Sequence, residues 1–249
     1  MASNVRVMSF NIKVGGNCEA RHGAVVGTIL KYSPDLLGIQ EANGKWMDFL
    51  TAGLSDIYGH VYLGRDDLER GEGTPVFYKK ELFELVSHGT KWLTDTPDTV
   101  SVVEGSRYTR IMTYAVLRDR RDGKQTVMVS THLDYVSDPV ALVQAKKLHG
   151  LCRELFGEDM PIFITGDFNM TPDTETVKYM TTDFALASAG DNDVISDPTP
   201  TNYGARIIID YCFYSPKHAT PTAYKVIEDK VDGEYPSDHW PLYADFAMN

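Results

Sequence analysis

Asn11, Glu41, His132, Asp167, Asn169 and the pair Asp238-His239 share one local setting: each stands at or just past the end of a short apolar run of strand-like length, and Asp210 stands within one. Taken singly each is unremarkable, since Asn11 could cap a turn, Glu41 could be a solvated charge and His132 a satisfied core histidine. As a set they suit one chemistry. Glu41 and Asp238, with Asn11 near, are hard oxygen ligands of the kind magnesium or manganese accepts, and there is no clustered His-Cys set for zinc. Asp167 is a candidate to orient and deprotonate a water. His239 and His132 can donate hydrogen bonds to phosphoryl oxygens, provided a carboxylate keeps each imidazole oriented and protonated; Asp210 and Glu72 are the candidate partners. A histidine paired in this way has its charged form favoured, and that form stabilises the charge that develops around a phosphorus under attack.

The elements that must position these groups follow from pattern. Ile162 to Thr165, bounded by Met160-Pro161 and Thr171-Pro172, reads as a buried strand that delivers Gly166-Asp167-Phe168-Asn169 to a rim. If strand geometry persists, Asp167 and Asn169 point to one side and Phe168 to the core. Val5 to Phe10 is a strand with Val5 and Val7 on one face, running into Asn11, and Leu36 to Ile39 is a second, ending at Gln40-Glu41. Between them Val25, Val26, Ile29 and Leu30 have helical spacing, closed by Ser33-Pro34. A helix is expected over Lys45 to Leu54, then a polar, glycine-containing stretch from Arg65 to Gly73 that carries Glu72 and leads into a strand at Thr74 to Tyr78. Leu82 to Leu93 reads as a strand kinked at Gly89, and Thr94 to Gly105 as a surface loop. Tyr108 to Leu117 and Gln125 to Thr131 form a hairpin turned by Asp122-Gly123, the second strand running into His132. Ser137-Asp138-Pro139 starts a helix with a capping side chain and a proline in its first turn; its apolar stripe is Ala141, Ala145, Leu148, Cys152 and Leu155, with Gly157 past its end. Thr174 to Met180 is a short helix, Ala189 to Asn202 a loop, Ile207 to Tyr214 a strand with Asp210 in its middle, and Leu242 to Phe246 the last strand. Hairpins alternate with crossover helices, which predicts mixed sheets with helices outside, and no linker or repeat divides residues 1–249 into more than one domain.

Composition narrows the partners. Hydrophobic residues at 43% and charged residues at 24% are ordinary globular values. No run approaches the roughly 18 apolar residues a membrane helix needs, and the first residues lack the basic region and apolar core of a signal peptide. A cytoplasmic monomer with no stable membrane insertion is expected, or a secreted one if a signal peptide has been removed. Cys18, Cys152 and Cys212 are odd in number and far apart, which reads as free thiols. The formal net charge of -11 argues against a broad basic grip on nucleic acid, but not against a nuclease, provided a divalent cation offsets the repulsion of a phosphate ester.

Ser9-Phe10-Asn11, Gly38-Ile39-Gln40-Glu41, Thr131-His132-Leu133-Asp134, Gly166-Asp167-Phe168-Asn169, Ile209-Asp210-Tyr211 and Ser237-Asp238-His239 resemble, in order, the motifs of the endonuclease/exonuclease/phosphatase superfamily, a group that spans deoxyribonucleases, deadenylases, sphingomyelinases and inositol polyphosphate phosphatases. The resemblance covers Val5 to Phe246 and is closest to the compact bacterial type. It implies a deoxyribonuclease-like α/β fold: a four-layer sandwich of two packed mixed β-sheets flanked by helices, with the site at one rim. It implies a catalytic divalent metal, usually magnesium, held by Glu41 with Asn11 and Asp238. Asp167 and Asn169 would align water and phosphate, Asp210 would orient His239, and His132 would contact the phosphate with Glu72 as its partner. Arg110 matches a family arginine that can reach the phosphate. Two departures from the pattern bear on substrate: Ser130-Thr131-His132-Leu133-Asp134-Tyr135 stands where many compact bacterial members read Asn-Thr-His-Leu-Asp-His, and Thr201-Asn202-Tyr203 replaces a usual Thr-Phe. There is no long insertion for gripping DNA and no membrane-engaging hairpin. The expectation is a metal-dependent phosphodiesterase or nuclease, with a phosphomonoesterase on a sugar or inositol phosphate as the second reading and an inactive binding module as the third.

Overall fold

A computed structural model describes residues 4–188, 200–202 and 204–249. Most of the expected loop from Ala189 to Asn202, and Tyr203, lie outside the described residues. In chain order the elements are β1 (Asn4–Asn11), α1 (Cys18–Tyr32), β2 (Leu36–Gln40), α2 (Gly44–Leu54), β3 (Tyr58–Val61), β4 (Val76–Lys79), β5 (Phe83–Trp92), β6 (Ile111–Asp119), β7 (Gln125–His132), α3 (Asp138–Phe156), β8 (Ile162–Asp167), α4 (Glu175–Met180), β9 (Ala185–Leu186), β10 (Asp210–Tyr214), β11 (Ala219–Val226) and β12 (Leu242–Met248). Among the described residues they form two six-stranded mixed sheets, ordered β11-β12-β1-β2-β4-β3 and β5-β6-β7-β8-β10-β9.

Alternation along the strands produces the layers. Val5 and Val7 of β1 and Leu36 of β2 face Met128, Phe163 and Cys212 of the other sheet, while Met8, Phe10, Leu37 and Ile39 face the opposite way and pack on Val25 and Ile29 of α1 and Trp46 and Leu50 of α2. On the far side Val127, Val129, Ile162 and Ile164 pack on Ala141, Ala145, Leu148 and Cys152 of α3. The result is the expected four-layer sandwich. The thiols of Cys18, Cys152 and Cys212 are buried and free, and among the described residues no helix is long and apolar enough to cross a membrane.

Each sheet contains one parallel pair, β1 with β2 and β7 with β8, and each pair is joined by a crossover helix, α1 and α3 respectively. Parallel strands end at the same edge, so the register pairs Asn11 with Gln40 in one sheet and His132 with Asp167 in the other. Beneath that edge the inter-sheet face turns polar. Ser9, Gln40 and Ser130 are linked by hydrogen bonds of 3.3 and 3.2 Å, and Gly38 leaves room for Thr165, whose Oγ1 would lie 2.0 Å from any added Cβ.

Several local expectations are corrected. The irregularity in β5 falls between Leu85 and Ser87, whereas Gly89 pairs regularly with Tyr114 and gives that ring its space. Ser137 makes no side-chain cap on α3; the Asp138 carboxylate instead accepts from the backbone N–H groups of Glu175 and Thr176, capping α4. Leu151, not Leu155, completes the buried stripe of α3. Asp210 opens β10 rather than sitting within a longer strand. Strands β3, β9 and β11 are unforeseen: β3 is four residues containing a glycine and a histidine, β9 has two residues, and β11 carries Pro221 at a bulge.

Candidate active site

Asn11 ends β1 and sits between two carboxylates. Its Nδ2 donates to Glu41 Oε1 at 3.0 Å and to Asp167 Oδ2 at 2.9 Å, tying one sheet to the other. The second Glu41 oxygen accepts from the backbone N–H of Val14 at 2.8 Å. Glu41 holds φ at 65°, a left-handed conformation that a non-glycine residue adopts at a free-energy cost and that turns its carboxylate back over the strand ends. Asn169, at φ 54°, does the same for the other sheet. Strand geometry therefore stops at Asp167. Asn169 reaches the rim through an Asx turn in which its N–H donates to Asp167 Oδ1 at 2.8 Å, and Phe168 enters the core as expected, against Tyr211 and Phe213.

Two histidines flank Asp167. His239 Nε2 lies 3.7 Å from its Oδ2, and His239 Nδ1 lies 2.8 Å from Asp210 Oδ2. Burial works against a charged His239, but the Asp210 carboxylate, with Asp167 and Asp238 beyond it, overcomes this and lifts the ring to about 10. The expected Asp210–His239 partnership is therefore present. His132 Nε2 lies 3.6 Å from Asp167 and 3.0 Å from Asn169 Nδ2. Burial, then the charges of Arg110 and Arg65, push His132 well below its ordinary value, and its Nε2 faces the Asn169 amide. The expectation that Glu72 partners His132 is not met. Glu72 Oε1 lies 2.7 Å from Arg65 Nη1, and His132 Nδ1 is enclosed without a hydrogen-bond partner among the described residues.

Asp167 itself is almost fully buried, and burial followed by the Asp210 charge raises it to about 7 against the opposing pull of His239. A buried carboxylate in that state is short of positive charge. The ligand atoms of Glu41, His132 and Asp167 lie within 4.8 Å of one another, and those of Asp167, Asp210 and His239 form a second such group. The carboxylates of Glu41 and Asp167 thus fit a hard divalent cation. Asp238, expected beside Glu41, belongs to neither group; its Oδ2 pairs with Lys13 Nζ at 2.8 Å.

These side chains open on one cleft of about 370 Å³, which Glu41, Glu72, Arg110, His132, Asp167, Asn169 and His239 all line. The cleft also contains Arg65 and Tyr108, which sequence reasoning did not single out, and Asn202. Asn202 places its side-chain amide 3.0 Å from His239 Nε2, which gives the departure at Thr201-Asn202 a position at the site. Arg65 sits in a run crowded with Asp66, Asp67, Glu69 and Glu72, which reads as a solvated charge stretch and carries no signal of its burial.

Similarity to known proteins agrees with this geometry. The Endonuclease/Exonuclease/phosphatase family matches residues 8–239. Protein angel of Drosophila melanogaster is 25% identical over 191 residues, covering 74% of this chain and 51% of its own length, so the chain spans about half of that relative. The crystal structure of an endonuclease/exonuclease/phosphatase from Bacteroides vulgatus superposes with a TM-score of 0.88 at 28% identity, covering 99% of this chain and all of that one. The mannosyl-6-phosphatase Bt3783 of Bacteroides thetaiotaomicron shares the fold with a TM-score of 0.88 at 23% identity, covering 98% of this chain and 99% of that one. With the match spanning nearly the whole chain and the rim residues assembled in one cleft, the protein belongs to the endonuclease/exonuclease/phosphatase family.

Proposed function

We propose that the chain hydrolyses a phosphoester by direct attack of water on phosphorus, assisted by a divalent cation at Glu41 and Asp167. The observation that carries this reading is the buried Asp167 carboxylate set between the Asp210-paired His239 and the Asn169 amide, with Glu41 joined to it through Asn11. Asp167, anchored by Asn11 and by the Asn169 N–H, orients the water and takes its proton as the new P–O bond forms and the ester P–O bond breaks. His239, held charged by Asp210, donates to the phosphoryl oxygens where negative charge grows, and the Asn169 amide and Arg110 complete their coordination. Magnesium or manganese, when bound, would supply Lewis-acid polarisation of the phosphoryl group. Asn11 acts by fixing the two carboxylates, while Asp238 acts at a distance, neutralising Lys13 beside the same loop.

The diester and monoester readings share this chemistry and differ in the charge on the phosphoryl group. A relative with the same fold is a mannosyl-6-phosphatase, so this architecture accommodates a sugar phosphate. The acidic chain, at -11, favours a compact phosphorylated molecule over a long polyanion. The reading is tested with p-nitrophenyl phosphoesters in magnesium or manganese. Asp167→Asn is expected to lower turnover by roughly 100-fold or more without lowering the melting temperature. Turnover that persists in excess chelator overturns the cation, and near-normal turnover by the Asp167 variant overturns its role.

A further inference from the structure

The mechanism above leaves unexplained a second buried cation in the cleft. Arg110 is 3% exposed and Arg65 8% exposed, and both line the wall beyond His132. Both guanidinium groups stack on the Tyr108 ring, at 4.7 Å for Arg65 and 5.5 Å for Arg110. Burial and then the like charge of Arg65 push Arg110 below its ordinary value. Two buried guanidinium groups set around one ring repel each other, and the carboxylates near them, Glu72 and Asp66 beside Arg65 and Asp134 beside Arg110, leave several of their nitrogens without a hydrogen bond. Asp134 is 3.5 Å from Arg110 Nε but already accepts from Ser106 Oγ and from the N–H groups of Arg107, Tyr108 and Val136. Arg110 Nε and Nη1 and Arg65 Nε are enclosed without a hydrogen-bond partner among the described residues. Glu72 pairs with one nitrogen of Arg65 and is itself raised by burial.

The arrangement is built in advance. Arg65 accepts at its carbonyl from Trp92 Nε1 at 2.9 Å and donates its N–H to the Glu72 carbonyl at 2.8 Å, and its neighbour Asp66 accepts from the Thr109 hydroxyl. Gly64 and Gly71 let this loop fold tightly on itself, since a Cβ at Gly64 would lie 1.9 Å from the Asp67 carbonyl oxygen. A flexible surface arginine has none of these restraints.

We propose that Arg65 and Arg110, stacked on Tyr108, form a dianion subsite that makes a phosphomonoester the preferred substrate of this cleft. The inference rests on the hydrolase reading above and specifies its substrate class. A diester phosphoryl group carries one negative charge, which His239 and Arg110 can meet. A monoester carries close to two near neutral pH, and Arg65 supplies the additional charge and donors.

The test uses two substrates with one leaving group: p-nitrophenyl phosphate, a dianion, and methyl p-nitrophenyl phosphate, a monoanion. The wild-type protein is expected to show the higher kcat/KM on the monoester. Arg65→Gln should lower that value by about 10- to 100-fold and the diester value by less than about 3-fold, with Arg65→Lys partly restoring the monoester rate. Inhibition by inorganic phosphate should weaken in parallel. Tyr108→Leu, at a residue 40% exposed, removes the ring without touching the core and should reproduce the direction of the effect if Arg65→Gln fails to fold. A wild-type preference for the diester, or equal losses on both substrates, overturns the subsite. Should neither ester be hydrolysed, the hydrolase reading fails, and inorganic phosphate binding by calorimetry to wild type and Arg65→Gln still decides the subsite: equal affinities overturn it.

Discussion

His239 and His132 approach the same carboxylate, at 3.7 and 3.6 Å from Asp167, yet their surroundings push the two rings in opposite directions. Both rings are buried, so desolvation disfavours the cation in each. The difference lies in the neighbours. His239 has Asp210 2.8 Å from Nδ1, which outweighs burial, whereas His132 faces Arg110 and Arg65, which add to it. A histidine in a motif marks a position, and its neighbours set the charge it favours. In one corner of the cleft a carboxylate favours the charged ring. In the other, the imidazole faces the Asn169 amide and two arginines disfavour its charged form.

The contrast can be broken or sharpened in four ways. The largest effect is expected from His239→Ala, which should lower kcat by about 100- to 1000-fold, while His132→Ala should lose at least tenfold less; equal losses under single-turnover conditions would remove the distinction. Asp210→Asn should act next most strongly, by about 10- to 100-fold at pH 9 and less at pH 6. The sign follows from the pairing. Asp210 raises His239, whose required charged form is lost as pH climbs through about 10 in the wild type, so removing the carboxylate moves the alkaline limb of kcat to lower pH. Glu72→Gln should cost less than about tenfold in kcat/KM and leave the His132 titration seen by NMR where it was, because Glu72 touches Arg65; a shifted His132 would restore the pairing expected from the sequence. Gly38→Ala should leave both corners chemically intact while lowering the denaturant midpoint, by about 1–3 kcal/mol of stability, through the clash with Thr165 and Ser130 in the layer beneath.

Much of this site was legible before any coordinates. Asn11, Glu41, His132 and Asp167 could be read because a period-2 apolar run that gives way to a polar residue marks a strand leaving the core, and parallel pairing brings such ends to one edge. Asp210 as the partner of His239 was also readable. The pairing of Glu72 was not, since it depends on the fold of the 64–73 loop, where Gly64 and Gly71 set the backbone path and Arg65 is turned inward. Asp238 was read by residue type as a ligand beside Glu41; the left-handed backbone of Lys13, at φ 58°, is associated instead with an ammonium group on it. Local expectations failed where a side chain works on a distant element, as Asp138 does in capping α4.

The sequence by itself determined which residues leave the core at strand ends and, through six ordered motifs, the family and its four-layer fold. Periodicity and motif order are local properties of the chain and survive without coordinates. The tertiary structure alone decided which charges meet. Desolvation, the positive potential of Arg65 and Arg110 at His132, and the spacing of Glu41 from Asp167 arise between segments separated by tens to hundreds of residues, and a few ångströms across the cleft determine their effect.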